Sequence, residues 1–190
     1  QKAFCIANQQ SPGRIFQGFE QELISAGEKF DILTLFHSLE HMTDPFRYLK
    51  KLRNLLKKKG ILIVQVPNVQ SIQARLFGSY WYGLDCPRHV YNYSTPSLLH
   101  ALGRAGYRIQ RVRHFSLRDN GATFVSSIFP FLDPMSQRVK LLRRTGQKAS
   151  LGLWLKQSIY FVLLVLAQPF ALIEAGMGRG GTVTVCATMD

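Results

Sequence analysis

The sequence predicts an α/β fold, and three observations predict it. Phe30–Phe36 and Ile61–Val66 are short runs apolar at successive positions, the pattern of strands covered on both faces. Between them Asp44-Pro45 reads as an N-cap followed by proline at the first helical position, and Phe46, Leu49, Leu52, Leu55 and Leu56 recur at helical spacing. Strand, helix and strand within about 36 residues make a βαβ unit, which closes right-handed into a parallel pair. With 190 residues, 46% hydrophobic and 18% charged, the chain has apolar material for a sizeable core and is not a disordered tail.

In chain order, Gly13–Gly18 reads as a short strand closed by glycine, and the strand at 30–36 follows. The helix from 45 runs to about residue 59, with Gly60 as its stop. Pro67-Asn68 ends the next strand. Residues 67–93 have no clear periodicity and many aromatics and turn formers, so they read as a functional loop with a short helix near Ile72–Phe77. Long loops after a strand's carboxyl end are where α/β proteins hold ligands. Ser94-Thr95-Pro96 opens a second helix with a hydroxyl cap, Leu98, Leu99 and Leu102 form its apolar face, and Gly106 ends it. Tyr107–Phe115 alternates as a strand, and Thr182–Thr188 is the last one. Three segments result: 1–115, a helical insertion at 116–181, and a final strand at 182–190.

Charge is unevenly distributed. Residues 1–45 carry three basic and six acidic groups, and residues 46–190 carry 21 basic and five acidic groups. An electropositive surface favours nucleic acid, phospholipid head groups or a phosphorylated substrate. Arg47, Lys50, Lys51, Arg53 and Lys57–Lys59 follow one another with no acid between them. No recognition module or stacking platform accompanies them, so they read as a solvated helix face and nucleic acid is not the expected partner. Cys5, Cys86 and Cys186 form no CxxC pair, which points away from a disulfide framework and toward a reducing, cytoplasmic setting.

The ordered series of a Gly-ended strand, the Phe30-Asp31 strand, Leu39-Glu40-His41, the Asp44-Pro45 helix, Gly60, Val66-Pro67-Asn68, Asp85-Cys86-Pro87-Arg88-His89, a helix, and Gly106-Tyr107 with its strand resembles the carboxyl part of class I S-adenosylmethionine-dependent methyltransferases. The nearest branch looks like the ubiquinone-pathway O-methyltransferases and related small-molecule enzymes. The resemblance implies a Rossmann-like methyltransferase sheet truncated at the N-terminus, because no Gly-rich cofactor loop and no ribose-binding carboxylate strand precede residue 13. It also implies S-adenosylmethionine as cofactor and an activity that belongs to the complete protein. The rival is a degenerate, non-catalytic membrane or partner-binding module.

The resemblance assigns Gly18, Phe19 and Glu20 to the turn beside the adenine, and Phe36, His37 and Ser38 to the strand end beside the reacting methyl. For Phe19 and Phe36, ordinary core burial is the alternative. His37-Ser38-Leu39-Glu40-His41 spells HxxEH, but a strand precedes it and a fresh helix follows, so a peptidase is not expected. The same residues, His37, Glu40 and His41, are candidate ligands for a divalent metal, matching a metal-binding ExxEH of the related enzymes. The structural alternative is that Glu40 and His41 cap the turn. His41 and His89 are candidate general bases, because an imidazole titrates near neutrality. Arg88 is a candidate for holding an acidic substrate group, and Trp81 and Tyr82 for lining an acceptor pocket; alternatively Arg88-His89 clamp the loop and the aromatics pack it down.

Leu151–Ile173 is long enough to span a bilayer, but Lys156, Gln157, Ser158, Gln168 and Pro169 interrupt it. The basic residues Arg138, Lys140, Arg143, Arg144 and Lys148 precede Trp154, Tyr160 and Phe161, the composition of an interfacial anchor on an anionic membrane. A helical lid packed on the sheet is the alternative. Membrane contact would suit a lipid-linked acceptor as well as a small-molecule one, and peripheral attachment.

Overall fold

Two rows of alternate strand side chains and two helix faces close the core. Leu62, Val64 and Val66 from one strand and Val183, Val185 and Ala187 from another face Leu49 and Leu52 on one helix and Leu98 and Leu102 on a second, all buried. The computed structural model describes residues 20–134 and 151–189. Its helices are α1 (Glu20–Ser25), α2 (Pro45–Leu52), α3 (Ile72–Phe77), α4 (Thr95–Arg104), α5 (Asp119–Ile128), α6 (Leu151–Leu166) and α7 (Gln168–Gly176). Its strands are β1 (Phe30–Phe36), β2 (Leu56–Pro67), β3 (Tyr107–Arg113) and β4 (Thr182–Met189), in the sheet order β1-β2-β4-β3. β1 and β2 are parallel, as the βαβ reading requires, whereas β4 runs antiparallel to both β2 and β3. The strand expected at 13–18 lies outside the described residues.

The helix after β1 ends earlier than the leucine spacing predicts. Asp44 caps it by accepting from the Arg47 amide at 2.9 Å, but the helix stops at Leu52 and a 3-10 turn covers Arg53–Leu55. β2 then begins at Leu56. Its pairing jumps from Phe30↔Leu56 to Ile32↔Ile61, which turns Lys57–Lys59 out to solvent while Leu55 and Leu56 are buried. A continued helix would stack three lysine charges within one turn and could not bury both leucines. Lys57 Nζ pairs with Asp31 across the irregularity at 2.8 Å.

Both β1 and β2 were expected to be covered on both faces. Among the described residues only one face is covered, and Ile32, Phe36 and Ile61 on the other are 54%, 52% and 37% exposed. Among the described residues Phe36 is therefore not buried in a core. α4 has the expected cap, reinforced because Ser94 and Ser97 exchange hydrogen bonds, and Tyr107 beyond it donates from its hydroxyl to Leu49 O at 3.0 Å.

The insertion forms its own small core from Val125, Leu132, Tyr160 and Ala167, with Phe124, Phe129 and Leu163 against it. A buried polar seam joins it to the sheet. Glu174 Oε1 on α7 accepts from Gln73 Nε2 on α3 at 2.6 Å and from the Gly181 amide before β4 at 2.9 Å. Residues 138–148, the basic part of the expected anchor, lie outside the described residues.

Candidate active site at the carboxyl ends of β1 and β2

β1 and β2 are parallel, so their carboxyl ends open on one side of the sheet, and the chain turns sharply there. His37 takes a left-handed conformation (φ +48°) just after β1, and its amide donates to Gln65 O near the end of β2 at 3.0 Å. A 3-10 turn, Leu39–His41, follows; Leu39 is sealed in the core and pulls Glu40 in with it, to 1% exposure. The long loop after β2 folds back over this turn. The Val90 and Tyr91 amides donate to Glu40 O at 2.9 and 3.1 Å, which brings His89 above Glu40.

The result is a convergent group of Glu40, His41 and His89, whose ligating atoms lie within 4.8 Å of one another. His41 Nδ1 donates to Arg88 O at 2.8 Å and His89 Nδ1 donates to Gly83 O at 3.0 Å. A carbonyl only accepts, so each bond places the proton on Nδ1, and in the neutral ring this leaves Nε2 with a lone pair. The two rings stand 4.8 Å apart, centroid to centroid. Neither carboxylate oxygen of Glu40 has a hydrogen-bond partner, and His89 Nε2 is 3.9 Å from Oε1. The Glu40 carboxyl group is buried, and His37 Nδ1, 3.4 Å from Oε1 on its other side, supplies the positive charge that offsets that burial.

A second network lies on the other side of Glu40. His37 Nδ1 is 3.4 Å from Glu40 Oε1 and its Nε2 is 3.6 Å from Asp119 Oδ2, at the start of α5. Burial opposes the charge on His37, but the hydrogen bond to Asp119 and the attraction of the Asp119 and Glu40 carboxylates outweigh it and raise its pKa to about 9. Asp119 is held well below the usual carboxylate range, because bonds from His37, Ser116 and Arg118 outweigh its own burial. Gln65 Nε2 donates to Asp119 Oδ2 at 2.6 Å and stands 3.1 Å from His37 Nε2. The neutral ring accepts there, whereas the charged ring directs its Nε2–H to Asp119. Thr184 Oγ1 donates to Gln65 Oε1 at 3.2 Å and fixes the amide's orientation.

The expected residues are only partly brought together. His41 and His89 meet, and Glu40 joins them. His37, expected beside Glu40 and His41 as a metal ligand, is engaged by Asp119 and carries the proton, and His89 takes its place in the ligand group. Trp81 does not line a pocket: it is 2% exposed and packs over Gly83, because a ring of that size closes the loop. Tyr82 is 39% exposed, its hydroxyl donates to Asp133 Oδ2 at 3.1 Å, and burial raises its pKa. The Arg88 side chain is exposed and pairs with Asp85 at 3.0 Å, while its carbonyl holds His41. Phe36 stands half-open at the strand end, Ser38 caps the 3-10 turn without a side-chain bond, and Glu20 begins α1. Gly18 and Phe19 lie outside the described residues. Gln65 and Asp119 belong to the site and were not expected from sequence.

Comparison with known proteins adds three findings. A family model described as a methyltransferase domain matches residues 3–112. The chain is similar to the ubiquinone biosynthesis O-methyltransferase of Cereibacter sphaeroides, 32% identical over 89 residues, which is 44% of this chain and 36% of that protein. A protein of the same name from Azorhizobium caulinodans is 29% identical over 102 residues, 50% of this chain and 40% of the other. The matched region thus spans little more than a third of the curated relatives' length. Among solved structures, an S-adenosylmethionine-dependent methyltransferase from Mesorhizobium loti shares the fold, with a TM-score of 0.52, 14% identity, and coverage of 99% of this chain and 76% of the other.

Proposed function

The chain belongs to the methyltransferase domain family, and from that premise we propose that the whole protein transfers a methyl group from S-adenosylmethionine to a hydroxyl of a small or lipid-linked acceptor. The observation that carries the reading is the convergence of Glu40, His41 and His89 beside the half-exposed Phe36 at the carboxyl end of a parallel strand pair. The names of the relatives support O-methylation.

The exposed Phe36 ring offers an apolar surface beside the left-handed turn at His37, which suits the cofactor. Bound there, S-adenosylmethionine supplies an electrophilic methyl on a sulfonium, and the protein's task is alignment and removal of the acceptor proton. His89 Nε2 accepts that proton, its ring held by Gly83 O, and the Glu40 carboxylate stabilises the imidazolium that forms. In place of that proton, the donor set of two imidazole Nε2 atoms and one carboxylate fits a divalent cation, which would supply a Lewis acid for the acceptor oxygen and would make His89 a ligand instead of the base. Backbone carbonyls on both Nδ1 atoms are the outer-shell partners such a site needs.

The test is calorimetric titration of S-adenosylhomocysteine into wild type and His89→Ala, with turnover on a catechol as surrogate acceptor. We expect unchanged cofactor affinity and turnover lowered about 100-fold or more in the variant, the usual scale of a lost base. Turnover equal to wild type removes His89 as the base, and absence of S-adenosylhomocysteine binding removes the methyl-transfer reading. Elemental analysis of the purified protein, with activity before and after chelation, decides the cation.

A further inference from the structure

α6 and α7 are predominantly apolar, interrupted by Lys156, Gln157, Ser158, Gln168 and Glu174, yet among the described residues only one side of them is packed. Tyr160, Ala167, Ala171 and Glu174 form a buried stripe, and Tyr160 bonds with Ser126 Oγ of α5 at 3.1 Å. On the remaining faces Trp154, Leu155, Phe161, Val165, Leu172 and Ile173 are each more than half exposed. Helical residues Gly152–Gly176 are long and apolar enough to cross a membrane, and only 22% of their most apolar window is buried. A helix apolar all round is stable when covered by protein or by lipid.

Charge identifies the occupant. Arg138, Lys140, Arg143, Arg144 and Lys148 lead into α6 with no acid among them, Lys156 lies within it, and Arg179 follows α7. Two copies meeting through this surface would bring Lys156 and Arg179 of each copy together, whereas anionic head groups neutralise them. We propose that α6 and α7 form a docking surface for an anionic lipid bilayer, lying in its interface with their exposed side chains in the acyl boundary and Lys156 and Arg179 among the head groups.

The helices lie on the bilayer and do not cross it. Glu174, fully buried, ties α7 to Gln73 and to the Gly181 amide, and Gln168 Nε2 donates to Leu117 O at 3.3 Å, so α7 cannot leave the protein. α5 connects this surface to the site. Its first residue, Asp119, reaches His37, Ser127 Oγ accepts from the Tyr82 amide, and α6 and α7 pack on its other side. An acceptor resident in the bilayer would meet the site across one helix.

Trp154 provides the readout, since the only other tryptophan, Trp81, is buried in the loop. The protein is mixed with vesicles of phosphatidylcholine alone or of phosphatidylcholine with phosphatidylglycerol. We expect a blue shift of Trp154 emission and quenching by shallow brominated acyl chains with the anionic vesicles, weaker at high salt. Phe161→Glu/Val165→Glu/Ile173→Glu should lower partitioning about tenfold or more with an unchanged circular dichroism spectrum, because three apolar side chains no longer enter the acyl boundary. Lys57→Glu/Lys58→Glu/Lys59→Glu should bind as wild type does. The proposal is overturned by anionic vesicles that leave Trp154 unshifted, by a folded triple glutamate variant that binds normally, or by loss of binding in the lysine variant. Resistance to alkaline carbonate extraction, which marks a crossing helix, or a dimer dispersed by the glutamates without vesicle binding, also overturns it. Binding is read without turnover, so the docking surface and the methyl-transfer reading fail separately.

Discussion

His37 sits between two carboxylates that reach it from different parts of the chain, and its charge follows from both. Its pKa, raised from 6.5 to about 9, means that the folded protein binds the proton more tightly than the unfolded chain does. The associated stability is complete below pH 6.5 and is lost as pH rises through about 9. Asp119, depressed from 3.8, contributes above that value, and its share is lost as pH falls toward the lowered one. The pair is thus fully engaged between those limits, from 3.8 to 6.5. In chelator-treated Asp119→Asn, we expect the His37 imidazole to titrate below 9, read by NMR, and the stability lost between pH 6.5 and 9 to shrink. An unmoved midpoint would assign the proton to Glu40 alone. His37, Glu40 and His41 were legible as a group because they are near neighbours in sequence. Gln65 and Asp119 were not, since they lie 28 and 82 positions away from His37 and only folding brings them to it. The one local signal for Asp119 is an acid in the first turn of a helix, which ordinarily indicates no more than the helix dipole.

The helix and strand that follow β1 show how local pattern competes with packing. Leucines at 49, 52, 55 and 56 satisfy a helical period, so the sequence supports a helix to Lys59, yet the pairing Phe30↔Leu56 captures the last of them for the sheet. Gly60 makes that possible. A Cβ there would stand 2.9 Å from both Leu56 Cδ2 and Lys57 O and 3.1 Å from Phe30 O, and the two oxygens are backbone. Gly60→Ala should therefore destabilise by about 1–3 kcal/mol, seen as a lower urea midpoint at unchanged slope. Gly103→Ala is the opposite case. Gly103 is exposed inside α4 and a Cβ would meet nothing within 4 Å, so the change should stabilise by up to about 1 kcal/mol. The glycine after the lysines was thus correctly singled out in the sequence but assigned to the end of a helix, whereas it allows a close approach inside the strand. The caps at Asp44 and Ser94 were legible because capping is settled by residues three apart.

At the scale of the molecule, two apolar cores are joined through a seam that is polar and buried. Gln73, Asn120 and Glu174 are each fully buried. Glu174 Oε1 collects Gln73 Nε2, the Gly181 amide and, at 3.4 Å, Asn120 Nδ2, while Gln73 Nε2 also donates to Asn120 O at 3.0 Å. No periodicity could have announced this, because the three residues come from α3, α5 and α7, and an isolated Glu in an apolar helix reads as an interruption. Burial raises the Glu174 pKa, so folding favours its protonated form, and the stability it allows at low pH declines as pH rises through the native value. Glu174→Gln keeps an acceptor for the three donors and removes the ionisation, so it should be at least as stable as wild type at neutral pH and lose that pH dependence. Glu174→Ala removes the acceptor of the Gly181 amide and one acceptor of Gln73 Nε2 in a buried interior, at a cost of about 2–3 kcal/mol. The seam is where the insertion meets the sheet, so that cost should fall locally. Hydrogen exchange should quicken in α7 and α6, while β2 and β4, whose bonds lie in the other core, keep their protection. Equal acceleration everywhere would mean that the two cores unfold as one unit.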